Sequence, residues 1–231
     1  MADKFFFYSK SADAPPGKGG GKDIRFQERL NTKTDYTELS KIQNWRKALS
    51  NFHVAPFILD GNEWNSVEHF FHAVKFRDNK TKDSKSYKYY ETFTLNSGSP
   101  WATDPVLAKQ AGKAGRVSGT TGKIYDKKIG DVKIPKDITM RHDFYTSKVD
   151  SRLQKLAFLA KFTQNENLKR LLLATGDAEL WHYTGTRGGG EGMILFDELM
   201  IVRDCIRKFD KKINLGELSK FTSAIITRML E

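Results

Sequence analysis

Cysteine is almost absent from this chain. Among 231 residues there is one, Cys205, so an intrachain disulfide is excluded and no thiolate metal cluster can form. A reducing compartment is expected, with Cys205 a buried, inert thiol in an apolar-periodic stretch. Long hydrophobic runs are also missing. No stretch reaches the roughly 18 apolar residues of a membrane span, and Phe5, Phe6 and Phe7 form too short a run for a signal peptide. The five histidines, at 53, 69, 72, 142 and 182, lack a recognised ligand spacing with acidic partners. These absences predict an intracellular chain, cytoplasmic or nuclear, that needs no membrane, metal or cofactor.

Negative charge is in short supply. Lys and Arg number 39 against 28 Asp and Glu, a net charge of +11. Such an excess suits polyanionic partners, and it equally suits a soluble surface rich in lysine. From residue 105 to 148 there are 10 Lys or Arg against 4 Asp, a local net of +6. Apolar residues make up 39% and aromatics 12%, enough for a sizeable core.

Residues 4–9 (KFFFYS) read as a strand, and APPGKGGGK at 14–22 as a loop. That loop is no Walker motif, because no Ser or Thr follows a Gly-Lys pair in the needed frame. Leu39, Ile42, Trp45 and Leu49 predict a helix over 35–49. HVAPFILDGNEW at 53–64 predicts a hairpin turning at Asp60-Gly61. Asn65 or Ser66 then caps a helix to about Arg77, and further helices are expected over 84–95 and 104–115. The stretch 117–134 reads as loops, 148–174 as two helices, and 188–192 (GGGEG) as a break. Two more helices are expected over 197–209 and 216–230.

The segment WNSVEHFFHAVKF at 64–76 holds the chemistry-bearing residues. Glu68, His72 and Lys75 are spaced by four and three, which places them on one helical stripe. Val67, Phe70, Phe71, Val74 and Phe76 make most of the remaining circumference apolar, as in a buried helix. Two readings stand. Glu68 can belong to a capping box and Lys75 can snorkel to solvent. Alternatively the stripe faces a polar cavity, where a buried lysine becomes a nucleophile and a carboxyl group moves protons.

The chain resembles the NADAR family, also called YbiA-like. The matching pieces are FFFYS at 5–9, LSNFHVAPFILDGNEW at 49–64, VEHFFHAVKF at 67–76, AKQAGKAGR at 108–116, MRHDF at 140–144, LAKFTQNENLKRLLLATGDAEL at 159–180 and LMIVRD at 199–204. Their order and spacing agree from about residue 4 to 208. The resemblance implies an α+β fold, a compact, mainly helical single domain with a small β element. Residues 1–209 would form the catalytic domain and 210–231 a C-terminal helical extension packed on it. It also implies hydrolysis of N-glycosidic bonds. One branch acts on phosphorylated riboflavin-pathway intermediates and another removes ADP-ribose from guanine in nucleic acid.

Carried over residue by residue, the resemblance makes Glu68 and Lys75 catalytic. His72 stands where the family often has Gln. Asn51, Phe52, Trp64, His72, Arg116, Arg141, Asp143, Phe144 and Trp181 become candidate substrate contacts, with Phe144 in place of the family's Trp as a stacking ring. After Thr175-Gly176-Asp177 the YbiA-type pattern has an Asp-x-x-Trp-Gly element, and here the chain reads WHYTGTRGGGEGM at 181–193. Arg187 with Gly188, Gly189 and Gly190 suits a pyrophosphate, which favours the ADP-ribose branch. The expected partner is ADP-ribosylated guanine on a single strand or an extruded nucleotide, with Tyr145 and Trp101 as further rings for stacking and Trp101 also a core candidate. ADP-ribose would be the product and the chain a monomer. Two alternatives remain: the riboflavin-intermediate N-glycosidase, and a non-catalytic ADP-ribose-binding domain.

Overall fold

The computed structural model describes residues 2–19, 27–28, 30–31, 34–77, 81–117, 123–184 and 192–209. The expected extension at 210–231, its helix at 216–230, and Arg187 with Gly188, Gly189 and Gly190 lie outside the described residues. The chain is α+β and mainly helical, as expected. It divides into two compact units, one built from residues up to His53 and from Phe162 onward, the other from Val54–Lys161. Helix α6 (Val149–Gln164) carries the chain from the second to the first.

The first unit is organised on a three-stranded sheet of order β1-β6-β7. β1 (Lys4–Phe7) runs parallel to β6 (Glu179–Tyr183), with Phe5 opposite Leu180 and Phe7 opposite His182. β6 is antiparallel to β7 (Met193–Leu195). Alternation along β1 buries Phe5 and Phe7 completely. Phe5 meets Tyr36 and Trp45 edge-on at 4.9 and 5.0 Å. The helix expected over 35–49 is two short ones, α1 (Thr37–Ser40) and α2 (Trp45–Leu49). Asn44 breaks it with a left-handed φ of 56°, a conformation asparagine tolerates better than most residues. The strands β6 and β7 were not anticipated as strands. Among the described residues, α7 (Glu166–Ala174) and α8 (Asp197–Phe209) are further helices of this unit.

A buried ion pair organises the segment before α1. Glu28 and Arg46 have side chains 0% and 2% exposed. Glu28 accepts from the backbone N–H of Phe6 at 2.9 Å and of Gly17 and Gly19 at 3.0 Å each, and from Arg46 Nε at 3.0 Å. Arg46 also donates to the carbonyls of Ala14 and Pro15. Residues 14–19 are thus tied down by a carboxylate whose lone pairs are filled, the condition under which a buried charge is tolerated.

The second unit begins with the hairpin β2 (Phe57–Leu59) and β3 (Asn62–Trp64). Asp60 and Gly61 turn it with φ of 54° and 76°, the doubly positive pattern of a type I′ turn. α3 (Val67–Ala73), α4 (Lys85–Glu91) and α5 (Pro105–Ala111) follow. Ser84 accepts from Tyr87 N, and Asp104 accepts from the N–H groups of Val106 and Leu107, as N-caps do. Trp64, Phe70, Phe76, Tyr89, Tyr90, Phe93 and Trp101 form an aromatic core. The stretch 117–134, expected as loops, contains a short hairpin of β4 (Lys128–Ile129) and β5 (Val132–Lys133). Gly130, at φ 59°, makes its turn possible.

Arg46→Met leaves the Glu28 carboxylate buried without its cation. It is expected to lower the unfolding free energy by about 3 kcal/mol or more, read from urea denaturation. An unchanged midpoint would show that the backbone N–H groups alone support Glu28.

Candidate functional site

Helix α3 is buried on nearly every side. Val67, Phe70 and Ala73 are 0% exposed, and Glu68, His72 and Lys75 are only 4%, 7% and 2% exposed. Three polar groups enclosed this way must satisfy one another, and they do. His72 Nε2 lies 3.0 Å from Glu68 Oε1, and Lys75 Nζ lies 2.9 Å from His72 Nδ1. An ammonium can only donate, so Nδ1 is the acceptor, the imidazole proton is on Nε2, and that N–H donates to the Glu68 carboxylate. Neither bland reading survives in this geometry. Glu68 is engaged with His72 and not with a helix cap, and Lys75 does not reach solvent.

Local structure sets this line. Ser66 stands at the N-cap of α3 without making a cap bond; its hydroxyl pairs with His69 Nδ1 at 2.8 Å. Burial pushes His69 down to about 4, so that ring stays neutral. Past Ala73 the backbone tightens, with Phe76 N donating to Ala73 O at 2.9 Å, and Lys75 lies in that last turn. Arg141 N donates to Lys75 O at 2.8 Å, which ties the 141–144 segment beside it.

Burial shapes the charges as well. It pulls the Lys75 ammonium from the ordinary 10.5 to about 8, with Glu68 opposing and Arg116 and Lys109 assisting. At pH 7 roughly one such lysine in ten is the free amine, against a few in ten thousand for an ordinary one. Burial also lowers His72, opposed by Glu68 and reinforced by Lys75 and Lys109, and the ring is neutral. Burial alone would raise Glu68, but its bond to His72 and the cations Lys109 and Lys75 outweigh that and keep it ionised. Lys109 Nζ, on a half-exposed side chain, is 4.0 Å from Glu68 Oε1. Three rings surround the Lys75 amine, with centroids at 5.1 Å for Phe71 and 5.7 Å for both Phe144 and Tyr145, a favourable setting for a cation.

Of the residues expected at the site, Glu68, His72, Lys75, Arg116, Arg141, Asp143 and Phe144 fall in this unit. Arg116 is exposed and its charge acts on Lys75. Arg141 grips Asp143 with two bonds of 2.7 and 2.8 Å. Phe144 is fully buried and Tyr145, 47% exposed, presents the accessible ring. Trp64 is also fully buried, its indole N–H donating to Leu59 O at 3.0 Å, so it packs the core where a substrate contact was expected. Trp101 is likewise in the core. Asn51, Phe52 and Trp181 are in the first unit, all partly exposed. Trp181 carries Lys4 Nζ over its ring at 5.0 Å and donates to Glu179 at 2.9 Å.

The sequence reading missed two contributors. Lys109 is one. Gly112, in the AKQAGKAGR piece, is the other: a methyl group there would overlap His72 Nδ1, so only glycine lets α5 approach the bridging imidazole. Gly115 is similarly confined, at φ 67° and against the carbonyl of Ile138. Among the described residues no group of three His, Cys, Asp or Glu side chains is placed to hold a metal ion. Among them no helix is long and apolar enough to cross a membrane.

N-glycosidase YbiA of Shigella flexneri is 29% identical over 149 residues, 62% of this chain and 70% of that protein. N-glycosidase YbiA of Escherichia coli strain K12 is 27% identical, also over 149 residues, 62% of this chain and 70% of that protein. The chain is a homologue of the YbiA proteins. The resemblance read from its motifs is borne out for the YbiA-like family as a whole, without distinguishing the branches within it. No family model matches the chain. The solution structure of the E. coli protein YbiA aligns with a TM-score of 0.48 and 23% identity, covering 80% of this chain and 87% of that one.

Two outcomes test the geometry. Because Lys75 titrates lower when folded, the folded chain binds fewer protons than the unfolded chain between about 8 and 10.5. Stability therefore rises with pH across that window. The drop corresponds to roughly 3 kcal/mol of penalty at neutral pH, offset in part by the bond to His72. Lys75→Met should stabilise the fold by about 2 kcal/mol at pH 7 and by much less above pH 10, read from urea unfolding at both. A variant destabilised at pH 7 would contradict the burial cost. Gly112→Ala should lower stability by about 1–3 kcal/mol, although alanine is the better helix former; a gain would mean that His72 moves aside freely.

Proposed function

We propose that this protein hydrolyses N-glycosidic bonds and that its substrate is ADP-ribose attached to the amino group of guanine in nucleic acid. The observation that carries the reading is the line Glu68–His72–Lys75, an ionised carboxylate and a partly free amine held two turns apart in a nearly dry, ring-lined setting. Two of the similar proteins bear the name N-glycosidase, which agrees with that chemistry.

In the mechanism, Glu68 rests ionised, takes up a proton from solvent as substrate binds, and delivers it to the leaving base or the ribose ring oxygen. Ring opening exposes an aldehyde-level carbon, Lys75 captures it as a Schiff base, and water releases ADP-ribose. In a variant the ring stays closed, the reaction passes an oxocarbenium-like state and Glu68 activates water. Lys75 then only holds phosphate or hydroxyl groups. The finer choice of substrate is supported by the basic stretch 105–148, by the exposed Tyr145 ring beside Lys75 as a stacking surface, and by the Arg187-Gly-Gly-Gly sequence in place of the YbiA-type acidic element. A flipped or single-stranded guanine is required, since a duplex hides that amino group. The family resemblance gives a second reading, cleavage of small phosphorylated riboflavin-pathway intermediates, and the relatives' name, N-glycosidase, fits that reading as well.

The purified protein should release ADP-ribose from a single-stranded oligonucleotide carrying the modified guanine, and do so faster than it cleaves the small pyrimidine intermediates. Glu68→Gln and Lys75→Ala should each reduce turnover by at least about a hundredfold. Tight ADP-ribose binding without product would instead mark a binding domain, and preferential release of ribose phosphate the second reading. Borohydride during turnover should trap a ribosyl adduct on Lys75; turnover with no adduct would leave only the closed-ring variant.

A further inference from the structure

His72 does more than fill the gap between two functional groups. Its two ring nitrogens meet Lys75 at 2.9 Å and Glu68 at 3.0 Å, and α5 comes close enough to hold it only because residue 112 is glycine. Among the described residues several charged or titratable groups bear on this line, His69 of α3 included. Glu68 and Lys75 belong to α3 and its last turn, Lys109 comes from α5, Arg116 from the segment after it, Tyr145 from the segment before α6, and Asp150 from α6. A neutral imidazole can accept at one nitrogen while donating at the other, so it passes a proton along without ever carrying charge in this enclosed place.

We propose that His72 is the proton path between Lys75 and Glu68 during imine formation. The inference rests on the Schiff-base form of the proposed function. The neutral Lys75 amine bonds to the aldehyde carbon of the opened ribose, and the carbonyl electron pair moves to oxygen. The nitrogen, now cationic, gives one proton to His72 Nδ1 while the Nε2 proton passes to the Glu68 carboxylate. Glu68 returns that proton to the alkoxide, leaving a neutral carbinolamine. Loss of its hydroxyl as water, with one proton from solvent, gives the iminium. Hydrolysis runs the same transfers backwards and restores the Nε2–H tautomer. His72 touches neither substrate carbon nor leaving group; it is a positioning and relay residue acting through its two neighbours.

The test needs no native substrate. Formaldehyde with cyanoborohydride methylates any reachable lysine through the same carbinolamine and iminium, and peptide mass spectrometry of the intact protein gives the rate at Lys75 relative to Lys109. His72→Gln keeps both bonds through its amide but cannot relay a proton. It should slow Lys75 about tenfold and leave Lys109 unchanged. In His72→Ala, added imidazole should restore the Lys75 rate and N-methylimidazole, which accepts at one nitrogen but has no N–H to pass on, should not. A Gln variant as fast as the wild type overturns the proposal, as does equal rescue by N-methylimidazole. So does a wild-type Lys75 that stays unmodified while Lys109 reacts. Failure of the oligonucleotide assay alone would strike the substrate reading and leave this result standing.

Discussion

Charge enclosed in a greasy helix is the constraint on which the site depends. Glu68, His72 and Lys75 are all under 8% exposed, and isolated charges at such positions are too costly to persist. The hydrogen-bonded line that joins them removes the difficulty by letting one neutral ring satisfy both ends. The same arrangement sets the chemistry. Burial drags the lysine down to about 8, while contacts with His72 and nearby cations keep the carboxylate ionised despite its burial. Reactivity and structural tension here are one property.

The surroundings of the line follow from that demand. The rings of Phe71, Phe144 and Tyr145 face the amine, supplying a low-dielectric wall that still tolerates a cation. Gly112 supplies space in place of contact, and Arg141 N fastens the neighbouring segment to the Lys75 carbonyl. Each element is modest alone. Together they hold the three groups within hydrogen-bond reach, as preorganised catalysis requires.

In the other unit the Glu28–Arg46 pair plays a comparable part for the backbone. Its carboxylate collects three N–H donors besides the guanidinium, which holds the segment 14–19 in place. Local patterns made much of the fold legible beforehand. The Asp60-Gly61 turn, the capped starts of α4 and α5, and strand β1 follow from residue chemistry within a few positions. The break at Asn44 and the small hairpin at 128–133 were missed, because a left-handed residue and a two-residue pairing leave almost no periodic trace. The parallel partnership of β1 with β6 was missed for a different reason: the strands are far apart in the chain, and nothing near either one encodes its partner.

Spacing along one helix was enough to bring Glu68, His72 and Lys75 to a common stripe, since 3.6 residues per turn is a local property. The same motif order was enough to reveal the kinship with the YbiA proteins. Whether that stripe would be a solvated face or an enclosed, hydrogen-bonded line depended on what packs against it, and only the tertiary structure decided that. It buried Trp64 and Phe144, left Tyr145 exposed, and brought Gly112 against the imidazole. Burial and close approach arise from segments separated along the chain, and no pattern within a single segment contains them.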